Sequence, residues 1–176
     1  TKDIRASTFF GDGVAGHVSL ADPFCEQLRQ PLIAAARACG ATVHDGGTYV
    51  CMEGPQFSTR AESRFYRSAV DASVIGMTAI PEAKLAREAE MCYAMLAMGT
   101  DYDCWHETEE DVSVEVVIAT LRANAAMGNQ VVQAVAGLLP ETSDCDCLSA
   151  ARFATMTAPE AISAEVKARL RVLYGK

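Results

Sequence analysis

Two carboxylates two residues apart, Asp101 and Asp103, follow closely on the apolar run Cys92–Met98. If an extended conformation continues through them, both side chains project to one face. Carboxylates this close repel one another, which raises the proton affinity of one, so the pair can donate one hydrogen bond and accept another. Adenine has that need: its exocyclic amine donates, and N7 takes up a proton as a glycosidic bond breaks, making the base a better leaving group. A plainer reading also fits the spacing, that the two aspartates cap the turn after a strand and face solvent.

A second polar strand end lies at Met77-Thr78, after the apolar segment Ala72–Met77 and just before Pro81-Glu82. A hydroxyl and backbone N–H groups at the start of a helix offer donors near a positive dipole end, which suits an anion. Met77 as core and Thr78 as a residue leading into the helix is the alternative. His44, Cys104, Trp105 and His106 match no common zinc spacing, and the aspartates beside Cys104 disfavour its thiolate, so no metal is expected. Cys145-Asp146-Cys147 has a CxC spacing that fits either a strained disulfide or two idle thiols.

These residues need elements to position them. Asp22 as N-cap, Pro23, apolar Phe24, Leu28, Leu32 and Ile33, and Gly40 beyond the end predict a helix over 22–39. Thr42 to Met52 reads as extended, with a turn at Gly46-Gly47, and Gly54-Pro55 breaks the chain. Thr59 and Glu62 have capping-box spacing and open a helix to about Val70. Pro81-Glu82 opens another through Glu90, and the apolar run Cys92–Met98 reads as a strand buried on both faces. After Ser113, a long amphipathic helix places Val114, Val117, Ile118, Leu121, Ala125, Val132 and Val135 on one side. Residues 141–157 are irregular, and a last helix over Pro159–Tyr174 turns Ile162, Val166, Leu170 and Leu173 inward. Strands alternating with helices predict an α/β fold, with a central sheet layered between helices. Ligands in such folds gather at the carboxyl ends of strands.

Composition narrows the classes. The 176 residues fit a single domain, and with half of them apolar and 22% charged a packed core is expected rather than disorder. A net charge of -8 argues against a nucleic-acid surface, although a small anion can still bind locally. No apolar run approaches the roughly 20 residues that cross a bilayer, and the first residues do not read as a secretory signal. Seven cysteines, mostly in apolar segments, read as buried reduced thiols, so a cytoplasmic protein without membrane association is expected.

Three long stretches, MEGPQFSTRAES (52–63), VIGMTAIPEAKLAREAEMCYA (74–94) and TDYDCWHETEEDVSVEVV (100–117), closely resemble consecutive signatures of the methylthioadenosine phosphorylases, within the trimeric nucleoside phosphorylase family. The resemblance runs from about Phe9 to residue 137. It implies the nucleoside phosphorylase fold, with a central mixed β-sheet flanked by helices, and phosphorolysis of methylthioadenosine to adenine and methylthioribose 1-phosphate. Phosphate is then a co-substrate and no cofactor is needed. Position by position, it implies that Phe57 packs on the purine and that Asp101 and Asp103 read its N7 and amino edge, with Asp101 assisting the leaving base. Ser58 stands where relatives acting on 6-oxopurines have Glu, and Asp101 where they have Asn, which favours an adenine base. Met77 matches a ribose-lining residue, Thr78 a phosphate ligand, and Val114 and Val117 residues beside the methylthio group. His17 matches a histidine that reaches a neighbouring subunit's site, which implies a homotrimer. The tail is less similar, though the CxC spacing also occurs there in some members.

The likeness has gaps. Gly76 stands where animal members often have Asn, and Ser68–Ser73 is one residue longer than usual. The phosphate-binding glycine loop, an Arg-His pair and several core strands of the family's N-terminal third have no counterpart here, so this chain reads as the C-terminal part of such a domain. It begins with Thr1, where the family has an exposed loop, so an N-terminal chain of the same enzyme is expected as a partner. Action on methylthioinosine or adenosine is one alternative, and an inactive fragment is another.

Overall fold

The computed structural model describes residues 4–106, 114–140 and 144–174. Among the described residues the α-helices and strands follow in the order α1 (Glu26–Ala38), β1 (Thr48–Cys51), α2 (Arg60–Ala69), β2 (Ala72–Gly76), α3 (Ala79–Glu88), α4 (Val114–Ala136) and α5 (Ala164–Tyr174), with short 3₁₀ turns at Asp146–Ser149 and Pro159–Ala161. The architecture is α/β. Two compact units account for it, one from Thr1–Leu28, Ala79–Ala94 and Pro140–Lys176, the other from Arg29–Thr78 and Met95–Leu139.

In the second unit, β1 and β2 pair in parallel, with Tyr49 opposite Val74 and Cys51 opposite Gly76, and α2 makes the crossover that parallel pairing requires. Thr59 caps α2 as its spacing predicts: its hydroxyl accepts from the Glu62 N–H, and the Glu62 carboxylate accepts from the Thr59 N–H at 2.7 Å. Gly76 has a local cause, since a Cβ there would fall 1.9 Å from the Tyr49 hydroxyl oxygen. A larger side chain at this position therefore has no room while Tyr49 keeps its place. Ala35 and Ala36 of α1 and Val131 of α4 are fully enclosed, with Leu32, Leu96, Met127 and Val135 packed around them.

The first unit gathers both ends of the chain. Phe10 and Val14 pack with Ala151, Ala154, Val166 and Leu170, and the Phe10 ring stacks on Tyr174 at 5.3 Å. Buried Glu88 accepts from the Thr8 hydroxyl at 2.7 Å and the Phe9 N–H at 2.6 Å. The Tyr174 hydroxyl donates to the Glu88 carbonyl, and burial, with Glu88 and Glu90 nearby, pushes its pKa to about 12. Val166 and Leu170 are buried on α5, as the last-helix pattern predicts, but the helix begins at Ala164 and not at Pro159: a short 3₁₀ turn covers Pro159–Ala161, and Ile162, in extended backbone, packs on the core from outside the helix.

Three further expectations are corrected. Helix α1 begins at Glu26, not at Asp22, because tertiary contacts hold the preceding residues out of it: Phe24 stacks on Tyr93, the Cys25 N–H donates to the Tyr93 carbonyl at 2.7 Å, and the Asp22 carbonyl accepts from Arg87. Residues 92–98 form no strand and are half-buried, with Ala97 exposed. Apolar character there reflects burial, whereas a strand needs a paired neighbour, and the Tyr93 carbonyl bonds outside any ladder. On α4 the enclosed residue is Val131, not Val132, which is 63% exposed; Ile118 and Leu121 are exposed as well. No helix of the described residues is long and apolar enough to cross a membrane.

Two outcomes are expected in chemical denaturation. Val131→Ala lowers stability by about 2 kcal/mol, from the lost methyl burial plus the cavity left behind. The capping box makes stability pH-dependent: bonds from the Thr59 backbone and then its hydroxyl hold the Glu62 pKa below 4.5, while slight desolvation opposes them. That contribution is present above the unfolded value and disappears as pH falls through the folded one, so Glu62→Gln should flatten the acid limb of the stability curve.

Candidate functional site

The capped first turn of α2 carries the residue that organises the site. Ser63 is 1% exposed, and its hydroxyl donates to Asp103 Oδ2. The other carboxylate oxygen, Oδ1, accepts the Cys104 N–H at 2.8 Å. The neighbouring backbones are tied as well: the Arg60 guanidinium donates to the Cys104 carbonyl, and the Cys104 thiol lies 3.7 Å from the Ser58 carbonyl. Segment 58–63 and segment 103–104 are thereby joined at five residues, and Asp103 is fixed in orientation.

Asp101 is set differently. It is exposed, and the Thr100 hydroxyl donates to its Oδ2 at 2.7 Å. The extended conformation that would place both carboxylates on one face does not continue, because the chain bends at Asp101 and a turn closes from the His106 N–H to the Asp103 carbonyl at 3.0 Å. The carboxylates have separate partners, one oriented by the fold and one open to solvent. Around them, Tyr102 stacks on His106 with centroids 4.5 Å apart, and the Arg67 guanidinium sits 3.5 Å above the Trp105 ring. A cavity of about 390 Å³ lies against α4, lined by Met98, Thr100, Leu121, Asn124 and Gly128 among others, and the Asn124 amide donates to the Gly99 carbonyl at 2.9 Å.

Phe57 stands 82% exposed next to Ser58, whose hydroxyl is 3.4 Å from the Met52 sulfur. An open aromatic face beside oriented polar groups is suited to stacking on a flat ring. Met77 folds over Gly54, where a Cβ would fall 1.9 Å from the Met77 methyl, and Gly54 also has a φ of +74°, so both space and backbone call for glycine. Thr78 is exposed and Val117 half-buried. The Val114 side chain lies outside the described residues. His17 belongs to the first unit, is exposed, and donates its N–H to the Ala154 carbonyl at 2.8 Å.

Ser63 and Arg60 are the residues that sequence reasoning missed. A serine on a polar helix reads as a surface residue, and only the fold shows it enclosed against a carboxylate. A second cluster was equally hidden. In the first unit the sulfurs of Cys25, Cys92, Cys145 and Cys147 all lie within 4.8 Å of one another. All four are thiols in this structure, and burial, then hydrogen bonding among them, pushes Cys92 to about 12 and Cys147 to about 11.

The family description "Phosphorylase superfamily" matches residues 2–136. An S-methyl-5'-thioadenosine phosphorylase of Geobacter sulfurreducens is 54% identical over 175 residues, covering 99% of this chain and 61% of that protein. A crystal structure of a methylthioadenosine phosphorylase from an antarctic soil metagenomic library aligns with a TM-score of 0.88 at 48% identity, covering 96% of this chain and 60% of that one. A Schistosoma mansoni adenosine/methylthioadenosine phosphorylase variant, crystallised with methylthioadenosine, aligns with a TM-score of 0.71 at 31% identity, over 84% of this chain and 57% of that one. The chain thus spans about three fifths of the length of these relatives.

If Ser63 orients Asp103, the two side chains are energetically coupled. Ser63→Ala leaves a half-buried carboxylate one donor short and is expected to cost about 1.5–3 kcal/mol in denaturant, and in an Asp103→Ala background that cost should largely vanish. Additive losses in the double-mutant cycle would sink the coupling.

Proposed function

The chain belongs to the phosphorylase superfamily, and we propose that the protein carrying it cleaves 5'-methylthioadenosine with phosphate, giving adenine and 5-methylthioribose 1-phosphate. The observation that carries this reading is the pair of unlike aspartates on a segment whose Cys104 meets Ser58, the residue after the exposed Phe57. Asp103, oriented by Ser63 and the Cys104 N–H, is a fixed acceptor for an exocyclic amine. Asp101, in contact with solvent and a hydroxyl, is free to carry the proton to N7 as the glycosidic bond lengthens. Phe57 stacks on the purine, with Ser58 beside it. Met77 lines the ribose, and Val114 and Val117 give the methylthio group apolar company.

Phosphate attacks the anomeric carbon of an oxocarbenium-like transition state, with Thr78 as one of its ligands; no cofactor takes part. Arg60 and Arg67 are already engaged, one on the Cys104 carbonyl and the other on Trp105, which supports a cationic phosphate cradle lying elsewhere in the protein. We place that cradle in a further portion of the phosphorylase, supplied by another polypeptide and packed on the exposed apolar face of α4, so that this chain is the C-terminal portion of one domain. In the same reading the active unit is a homotrimer in which His17 serves a neighbour's site. Seven thiols are consistent with a cytoplasmic role in methionine and purine salvage.

Adenine release from methylthioadenosine, dependent on phosphate and measured with inosine in parallel, tests the reading. Asp101→Asn should lower kcat/KM for methylthioadenosine by about 10²–10³-fold, the usual worth of a positioned proton donor, and raise relative activity on 6-oxopurine nucleosides. Equal loss on both substrate classes would argue against base recognition by Asp101. Denaturing mass spectrometry of active protein should show a second polypeptide, and an active sample containing this chain alone would overturn that part.

A further inference from the structure

We propose that Cys25, Cys92, Cys145 and Cys147 form a tetrathiolate site for one structural Zn²⁺ ion. The four come from three separate segments of the first unit: the turn before α1, the segment after α3, and the short 3₁₀ turn over Asp146–Ser149 with the residue that precedes it. Such convergence from distant points of the chain is not explained by packing of idle thiols alone. Zinc bound by thiolates at about 2.3 Å sets tetrahedral sulfurs about 3.8 Å apart. Here Cys25 Sγ is 3.8 Å from Cys145 Sγ, Cys92 Sγ is 3.1 Å from Cys145 Sγ, and no pair exceeds 4.8 Å. Small side-chain adjustments would bring all four to one ion. The span fits a single ion rather than an iron–sulfur cluster, whose cysteines bind different irons and stand further apart.

The surroundings suit a charged metal complex. Four thiolates on a divalent ion leave a net charge of about -2. The Arg87 guanidinium, whose Nη1 lies 3.8 Å from the Cys147 sulfur, offsets part of it, and Arg87 also holds the Asp22 carbonyl just ahead of Cys25. One side chain thus both compensates charge and orients a ligand segment. Cys25 and Cys147 are buried, and a cavity of about 380 Å³ lined by Cys25, Arg87, Cys145 and Cys147 gives an ion a way in. With all four positions filled by protein, no coordination site remains for substrate, so the ion is a staple that ties the three segments together. The expectation of no metal rested on local spacing, and only the CxC pair of this set is local.

The protein, expressed in zinc-supplemented medium and purified anaerobically without chelator, should contain one zinc per chain by mass spectrometry of the metal. Cys145→Ser should lose it, whereas Cys51→Ser, outside the cluster, should keep it. Should Cys145→Ser not fold, Co²⁺ loading of the unaltered protein decides, since four thiolates give intense sulfur-to-cobalt charge-transfer bands. Chelation should lower the melting temperature of the unaltered protein. Protein free of zinc with all four thiols open to alkylation, a disulfide between any two of them in reduced preparations, or cobalt spectra without thiolate bands would each overturn the proposal.

Discussion

One hydroxyl facing one carboxylate decides how the candidate site is held. A buried serine must find a partner, and a carboxylate in a half-buried turn must find donors; Ser63 and Asp103 answer each other. The capping box fixes the first turn of α2, the first turn presents Ser63, and Ser63 sets the orientation of the loop that carries both aspartates. Phe57 and Ser58 immediately precede that cap, so the aromatic and the acidic parts share one anchor. Rigidity on one aspartate and openness on the other is the arrangement expected where one group positions a base and another passes a proton.

What the sequence made legible was mostly local. The Thr59–Glu62 box, the strand read over Ala72–Met77 and found over Ala72–Gly76, and the burial of Val166 and Leu170 on α5 depend on residues within one turn or one strand of each other, and these were legible. The start of α1 and the run at 92–98 depended on contacts between segments far apart, chiefly those of Phe24 and Cys25 with Tyr93, which no local pattern encodes. On α4 Val131 and Val132 are adjacent and alike, so the choice between them as the enclosed residue belongs to the helix it meets rather than to its own sequence.

The site divides in the same way. Long motifs pointed to Phe57, Ser58, Asp101 and Asp103, and the fold brings the segments bearing Ser58 and Asp103 into direct contact. They could not point to Ser63 or Arg60 as supports, because a polar residue on a polar helix carries no sign of burial. The four converging cysteines were illegible for a related reason: their nearness is a property of three segments at once.

The first unit also has a consequence in time. Its core joins Phe10 and Val14, near the beginning of the chain, to Val166 and Leu170, near its end. During synthesis the early residues emerge long before their partners exist, so this core cannot close until α5 has left the ribosome. The second unit, drawn from Arg29–Thr78 and Met95–Leu139, can complete its own core earlier. Folding of the first unit is therefore governed by contacts of long sequence separation, the slow kind, and the newborn chain must keep Phe10 and Val14 unpartnered in the interval.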